Sequence, residues 1–459
     1  MSTAHPHDTI AAISTPPGPG GVGMVRITGD DALAVGRKIF TPLAKGALKD
    51  IKPKRAVVGH SHQPNLPGSP IDQAVFLYFQ GPHSFTGEDT VELSAHGGTL
   101  IMGNLLEAAV LAGARLAEPG EFTRRAFQNG RIDLSQAEAV ASLIFASTEE
   151  ARQVMLKQVE GAMGQEAILL REGLLEVKIA LESAIDFPED VEEIQVDTLI
   201  RTVKAAMERS RSILNTAREG IALNEGLRVV IAGAPNVGKS SLLNALLQVN
   251  RAIVHELAGT TRDFIEGRIS VRGIPLVIVD TAGIRNCADS LEGEGITRTR
   301  DLMERADLLL VVVDGSRKLT CEEEDLLQET ESMRRVVIVN KCDLPNSRDL
   351  KVPDGSVRIS ALTGEGIDVL KSSIHDTYTG DGQTLAGNDA VVTSIRQAEA
   401  LRKVHDGCKS VVKGLLEYRE PELVTVDLEE ALQGVGELTG EVVVDEVLEE
   451  IFSRFCIGK

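Results

Sequence analysis

A chain of 459 residues predicts about three domains on length alone. A formal net charge of −20 excludes a broad, non-specific nucleic-acid surface, because phosphate affinity rests on clustered Lys and Arg. Five cysteines without Cys-x-x-Cys spacing exclude structural zinc and point to a reducing compartment.

The N-terminus lacks a long apolar leader, and no run of about eighteen apolar residues occurs, so a cytoplasmic protein that does not span a membrane is expected. Residues 1–122 are rich in Gly and Pro. They hold short strands such as Val22–Ile27 and Ala74–Phe79, turn-forming loops at Thr15–Gly21 and Gly81–Gly87, and a helix over Leu100–Ala112, which together predict an α+β domain. Residues 123–220 turn to Ala, Leu and Glu with helical periodicity, broken at Asp186-Phe-Pro-Glu-Asp190. Arg124, Arg125 and Arg131 form a small basic patch that either meets RNA or is an ordinary solvated helix face. Over residues 223–378 strands and helices alternate, the signature of a mainly parallel sheet. A polar stretch, 379–388, leads to a second helical segment, 389–459. Isolated helical hairpins bury little surface, so the two helical pieces are expected to join as one all-α domain into which the α/β unit is inserted.

Within the α/β segment, the strand-like Leu227-Arg-Val-Val-Ile-Ala232 runs into Gly233-Ala-Pro-Asn-Val-Gly-Lys-Ser240 and then into Leu242, Leu243, Leu246 and Leu247 at helical spacing. Strand, Gly-x4-Gly-Lys-Ser and helix in that order make a phosphate-binding loop: backbone N–H groups and a helix N-terminus meet the phosphates, Lys239 reaches the outer ones, and the Ser240 hydroxyl binds Mg²⁺. Further on, Val336–Val339 runs into Asn340-Lys-Cys-Asp343. A carboxylate at Asp343 accepts from the N1–H and the exocyclic amine of guanine, a donor pair that adenine lacks. Asn340 suits the O6/N7 edge, the Lys341 stem covers the ring, and Ser360-Ala361-Leu362 completes the pocket through backbone N–H groups. GTP is therefore the expected substrate. Gly259-Thr260-Thr261-Arg-Asp263 supplies Thr261 as a switch ligand for Mg²⁺, and the strand Leu276–Val279 ends in Asp280-Thr281-Ala282-Gly283, whose Gly N–H meets the γ-phosphate. Many small GTPases place Gln after that Gly. Here the position is Ile284, so water must be oriented from elsewhere, with Glu292 and Glu294 as candidates in an acidic stretch.

The chain resembles the MnmE (TrmE) family of tRNA-modification GTPases over essentially its whole length. The residues that carry the resemblance are Thr15-Pro-Pro-Gly-Pro-Gly-Gly-Val-Gly23, Phe85-Thr-Gly-Glu-Asp89, His96-Gly-Gly98, Pro119-Gly-Glu-Phe122, Asp133-Leu-Ser-Gln-Ala-Glu-Ala139, Ala184-Ile-Asp-Phe-Pro188, Gly259-Thr-Thr-Arg-Asp263 and the terminal Phe455-Cys-Ile-Gly-Lys459. It implies a multidomain α/β protein: a P-loop GTPase domain inserted into an all-α helical domain, preceded by an α+β domain that binds folate and dimerises. It also implies a homodimer working with an FAD-containing partner, MnmG. Together they install a (carboxymethyl)aminomethyl group at C5 of the wobble uridine of certain tRNAs, with a 5-formyl- or 5,10-methylene-tetrahydrofolate as one-carbon donor.

Carried over by residue, the resemblance implies folate binding by Arg26, Glu92, Arg131 and Lys459, and a nucleotide site formed by Asn236, Val237, Gly238, Lys239, Ser240 and Ser241 with the stretch His255, Glu256, Leu257, Ala258, Gly259, Thr260 and Thr261. A K⁺ ion, held by Asn236, Thr260 and the carbonyls of His255 and Leu257, takes the place of an arginine finger when two G domains pair. Glu292 matches the carboxylate that polarises water. This chain departs from the family pattern at Leu362 and Arg131, where Lys is usual, and at His255, where Thr is commoner. Cys456 matches a family cysteine suspected of a role in modification, or is a small buried residue that orders the tail. Two other readings are a ribosome-assembly or RNA-chaperone GTPase, and a folate-binding scaffold whose G domain never hydrolyses.

Overall fold

Strand-forming residues cluster in two parts of the chain, and the computed structural model holds two sheets accordingly. The structure describes residues 8–44, 46, 48, 51–186, 195–249, 266–280, 302–345, 352–379, 390–453, 455 and 457–459. They fall into two units: one comprises Met1–Ala141, Val159–Ile168 and Val435–Lys459, the other Ser142–Gln158 and Leu169–Gly434.

The first unit is built on a seven-stranded sheet: β1 (Ile10–Ile13), β2 (Gly20–Thr28), β3 (Phe40–Pro42), β4 (Val57–His62), β5 (Pro70–Phe79), β6 (Thr90–Gly97) and β7 (Arg115–Leu116), in the order β3-β4-β5-β6-β2-β1-β7. Every pairing is antiparallel except β1 with β7. Alternation sets the two faces. In β6, Val91, Leu93 and Ala95 are buried with Val25, Ile27 and Phe76, and the helices Ala32–Lys38 and Thr99–Leu111 cover that side. Ile10 and Ala12 of β1 face the other way and pack with Ala117 and with Phe122 of the helix Glu121–Gln128. The C-terminal helix Asp445–Ser453 adds Phe452, which joins Ala137 and Phe455 in a smaller cluster lined by Phe127. Gly120 permits that approach: its φ is 69°, and a Cβ there would stand 2.5 Å from the Phe452 carbonyl.

The second unit carries β8 (Leu227–Ala232), β9 (Glu266–Val271), β10 (Ile274–Asp280), β11 (Leu308–Asp314), β12 (Arg335–Asn340) and β13 (Val357–Arg358), in the order β13-β12-β11-β8-β10-β9. All neighbours are parallel except β9 with β10, so the mainly parallel sheet expected from the pattern is observed. Its central strands are mostly apolar because both faces are covered; every residue of β11, Leu-Leu-Leu-Val-Val-Val-Asp, is buried. The helices Lys239–Val249 and Ile367–Thr379 pack on one face, and Cys321–Glu329 contributes Leu327 to the other. Helices from before and after this α/β segment meet in the same unit. Val196–Leu214 packs along Ile395–Leu416, where His405 Nδ1 lies 3.1 Å from the Met207 carbonyl, and Lys178 pairs with Glu429 at 3.2 Å. The helix Ala217–Glu225 leads into β8, and Arg218 is clamped to Tyr378: its guanidinium lies 4.8 Å from the ring centroid, while the phenol donates to the Arg218 carbonyl. Among the described residues, no helix is long and apolar enough to cross a membrane.

Candidate GTP and folate sites

The carboxyl ends of β8, β11 and β12 carry three short loops that hydrogen-bond to one another. The first, Gly233–Gly238, runs into the helix that starts at Lys239. Gly233 lies so close to β11 that a Cβ would stand 2.5 Å from the Val312 carbonyl, and Gly238 holds a φ of 101°. Asn236 also sits in the left-handed region, at φ 62°. Such backbone is unfavourable for a residue with a side chain unless neighbours hold it. Val237 is buried, whereas Ser240 and Ser241 are exposed on the first helical turn. The Lys239 ammonium donates to the carbonyls of Gly233 and Ala234, both at 2.9 Å.

Asn340 ends β12, is only 2 % exposed, and joins the phosphate loop to the Ser360–Leu362 stretch that follows β13. Its Nδ2 donates to the Val237 carbonyl at 2.8 Å, and its Oδ1 accepts from the Ala361 N–H at 2.9 Å. The sequence assigns the N–H groups of Ser360–Leu362 to the base. In the structure the Ala361 N–H goes to Asn340 and the Ser360 N–H to the Glu365 carbonyl, because a buried amide oxygen must find a donor. Asn340 keeps its second Nδ2 hydrogen. Lys341, at φ 67°, reaches back to donate to the Asn236 carbonyl at 2.8 Å and to Asp314 Oδ2 at 2.6 Å. Asp343 is exposed; Leu362, 85 % exposed, lines a cleft of about 440 Å³ with Ser241, Ala361 and Asp368.

Sequence reasoning missed Asp314. Burial raises its carboxyl pKa, but hydrogen bonds from Lys341 and from the hydroxyl and N–H of Ser316 outweigh that and hold it below the ordinary carboxylate value. Behind it, Glu323 is fully buried. It accepts from the Asp314 N–H, from Arg317 at 2.7 Å, and from the Thr320 N–H. The signals were present: an Asp ending the all-apolar strand β11, and Thr320-x-x-Glu323, which forms a reciprocal capping box.

Of the switch residues, Asp280 ends β10 opposite Ile231 of β8, at the same end of the sheet as the phosphate loop. His255, Glu256, Leu257, Ala258, Gly259, Thr260, Thr261, Thr281, Ala282, Gly283 and Glu292 lie outside the described residues, as do Ile284, Glu294 and Cys456.

In the first unit, Arg26 of β2 stands directly across from Glu92 of β6. Its Nε donates to Glu92 at 3.0 Å, and its guanidinium lies 5.8 Å from the centroid of the Phe122 ring. The chain terminus comes to the same end of the sheet: Ser14 Oγ donates to the Gly458 carbonyl at 3.1 Å, just beyond Ile13, which pairs with Val25. Lys459 follows, half-buried. Arg131 is exposed, with its stem against Gly87, where a Cβ would stand 3.2 Å from Arg131 Cγ. Among the described residues, no hydrogen bond or ion pair links Arg131 to Arg26 or Glu92.

Comparison with known proteins covers nearly the whole chain. The family profile described as the MnmE helical domain matches residues 134–456, and the one described as "GTP-binding protein TrmE N-terminus" matches residues 9–131. The tRNA modification GTPase MnmE of Roseiflexus castenholzii is 40 % identical, over 98 % of this chain and 99 % of its own length. The chain belongs to the MnmE family. The relatives of the same name from Geobacter sulfurreducens and Lactobacillus acidophilus are 42 % and 39 % identical, each over 98 % of this chain.

Family membership does not rescue the basic patch. Arg125 is buried, and its guanidinium is fixed by Asp8, Glu121 and Glu88. Arg115 joins the same cluster by pairing with Asp8 and Glu121. Burial raises the Glu121 carboxyl, yet bonds from Arg115, the Glu118 N–H and Arg125 prevail and lower its pKa. Arg125 is therefore a structural cation; charge alone in the sequence could not show that its partners lie on three different segments.

Proposed function

We propose that this chain hydrolyses GTP to drive modification of the wobble uridine of tRNA, in a homodimer that works with a flavin-containing partner, MnmG. The observation that carries the reading is the joining of the phosphate loop to Asn340-Lys341-x-Asp343 by Asn340 and Lys341, at the carboxyl end of one parallel sheet, where open α/β sheets bind ligands. Asp343 accepts from the two donor groups of guanine, and the free Nδ2 hydrogen of Asn340 suits N7. Lys239 moves from the loop carbonyls to the outer phosphates. Ser240, exposed on the first helical turn, offers its hydroxyl to Mg²⁺, with Thr261 as the second protein ligand and Asp280 behind a metal water. Mg²⁺ neutralises charge developing on the phosphates.

Asn236 fits the K⁺ role on one structural point. It is exposed in the phosphate loop, so its side-chain amide oxygen can be offered to the ion, and Thr260 with the carbonyls of His255 and Leu257 would complete the set. Glu292 orients the attacking water in place of the missing glutamine. In the first unit, Glu92 suits the donor edge of a pterin and is held by Arg26, while Arg131 and Lys459 supply cations for a glutamate tail. A tetrahydrofolate there would supply the one-carbon unit.

Glu292→Ala should keep GTP binding and lose most turnover, and unchanged single-turnover hydrolysis in K⁺ overturns that assignment. Nucleoside analysis of tRNA from a deletion strain separates this reading from a ribosome-assembly GTPase: the modified wobble uridine should disappear, whereas an assembly factor would leave it intact.

A further inference from the structure

We propose that Asp314 is a positioning residue for nucleotide binding: it anchors Lys341 so that the Lys341 ammonium holds Asn236 in the left-handed conformation the phosphate loop needs. The inference rests on the GTP-site reading above. Two residues with side chains, Asn236 at φ 62° and Lys341 at φ 67°, adopt backbone that neither favours. A single hydrogen bond, from Lys341 Nζ to the Asn236 carbonyl, ties the two together at 2.8 Å. An ammonium on a four-carbon stem does not choose that position by itself, because the stem has many rotamers. Asp314 makes the choice, with its Oδ2 2.6 Å from the same Nζ.

Asp314 is itself immobile. It is 5 % exposed at the end of β11, its Oδ1 accepts from both the hydroxyl and the N–H of Ser316, and its own N–H donates to the fully buried Glu323. Arg317 closes the group by donating to Glu323 while its Nε stands 3.7 Å from Asp314. Two carboxylates and two cations thus balance, and the one arm that leaves the cluster ends on the phosphate loop. Lys341 belongs to the base-recognition loop, so the same arm links the two halves of the nucleotide site: loosening Lys341 frees the cover over the base and the turn under the phosphates together.

Release of a fluorescent mant-GDP tests this, and the chain has no Trp to interfere with the signal. Asp314→Asn, which keeps the shape and removes the charge, should speed release about tenfold or more, the range of a lost charge-assisted hydrogen bond. Lys341→Met should do the same. The double variant should be no worse than the worse single one, because both changes break one link. Release within about twofold of the parent in a folded Asp314→Asn protein overturns the proposal, and so do single effects that multiply in the double variant. Should Asp314→Asn not fold, Ser316→Ala removes one of the two Ser316 bonds to Asp314 from a partly exposed position and should still speed release about two- to threefold, less than loss of the charge itself because the Ser316 N–H keeps its hold. An unchanged rate there overturns the proposal as well. If the parent chain fails to bind mant-GDP at all, the GTP-site reading falls instead.

Discussion

The two sheets place their candidate functional residues in opposite ways. In the antiparallel sheet, Arg26 and Glu92 sit in mid-strand, on a face that strand alternation leaves uncovered by the two helices of the main core. In the parallel sheet helices cover both faces, and the candidate residues gather beyond the strands: Asp280, Asp314 and Asn340 end β10, β11 and β12, and Lys239 opens the helix after the loop that follows β8. Each unit also contains a buried network of charges. The one around Arg125 closes on itself, whereas the one around Asp314 sends Lys341 out to a loop. A buried ion network is thus not in itself a functional sign; what matters is whether one arm leaves it.

The largest expected effect tests the closed network. Arg125→Met leaves Asp8, Glu88 and Glu121 with Arg115 as the remaining cation of the cluster, and breaking a buried pair from one side costs about 3–5 kcal/mol. Calorimetry should show the transition of the first unit moving down while mant-GDP release stays at the parent rate. A matching change in nucleotide release would break the contrast between the networks. Lys239→Ala probes the strand ends. It should cut GTP turnover on the order of 10²–10³-fold, the effect of losing one donor to developing charge. Its melting profile should move far less than that of Arg125→Met, since Lys239 is only half-buried.

Asn340→Ala sharpens the comparison by striking a residue that serves both stability and binding. It strands the Val237 carbonyl and the Ala361 N–H, at about 1–3 kcal/mol for each buried group left unmade. The transition of the second unit should fall and nucleotide release should rise together.

Much of this was legible beforehand, and for definite reasons. Gly233, Gly238, Lys239 and Asn340 belong to short, contiguous motifs whose spacing encodes a strand, a turn and a helix. The parallel sheet showed in the alternation of strands and helices over residues 223–378 and in apolar runs such as Val229–Ala232, Leu276–Val279 and Val336–Val339. For Asp314 the local signals marked only a strand end and a helix cap; its link to Lys341, distant in the chain, arises because β11 lies beside β12. Arg125 was misleading for the same reason: Asp8 and Glu88 come from other strands' ends, so a buried cation looked like a surface one. Pairing across a sheet is the information that local pattern lacks.

Acid should act on both networks alike. Asp8, Glu121, Asp314 and Glu323 all have pKa values lowered in the fold, since donors outweigh the raising effect of burial. A group depressed in the folded state contributes stability that is whole above its unfolded value and is lost as pH falls through the folded one. Both calorimetric transitions should therefore hold steady from neutrality to about pH 5 and fall once pH drops below the ordinary carboxylate values. A transition that weakens already between pH 7 and 6 would point to a different titrating group.

The smallest effect on stability belongs to the open sheet face. Arg26 and Glu92, with side chains 20 % and 15 % exposed, are less buried than Arg125 and Glu121 at 9 % and 8 %, so Arg26→Gln should lower the stability of the first unit by less than Arg125→Met does, about 1 kcal/mol. Binding should respond more strongly, because Arg26 fixes the Glu92 carboxylate and rests on Phe122. Tetrahydrofolate affinity, read by calorimetry, should drop about tenfold, in line with the loss of one charge-assisted contact. A large loss of stability with unaltered folate affinity would make the pair a strut of the sheet like Arg125, and the distinction between a face that binds and an interior that holds would no longer separate the two kinds of charge in this unit.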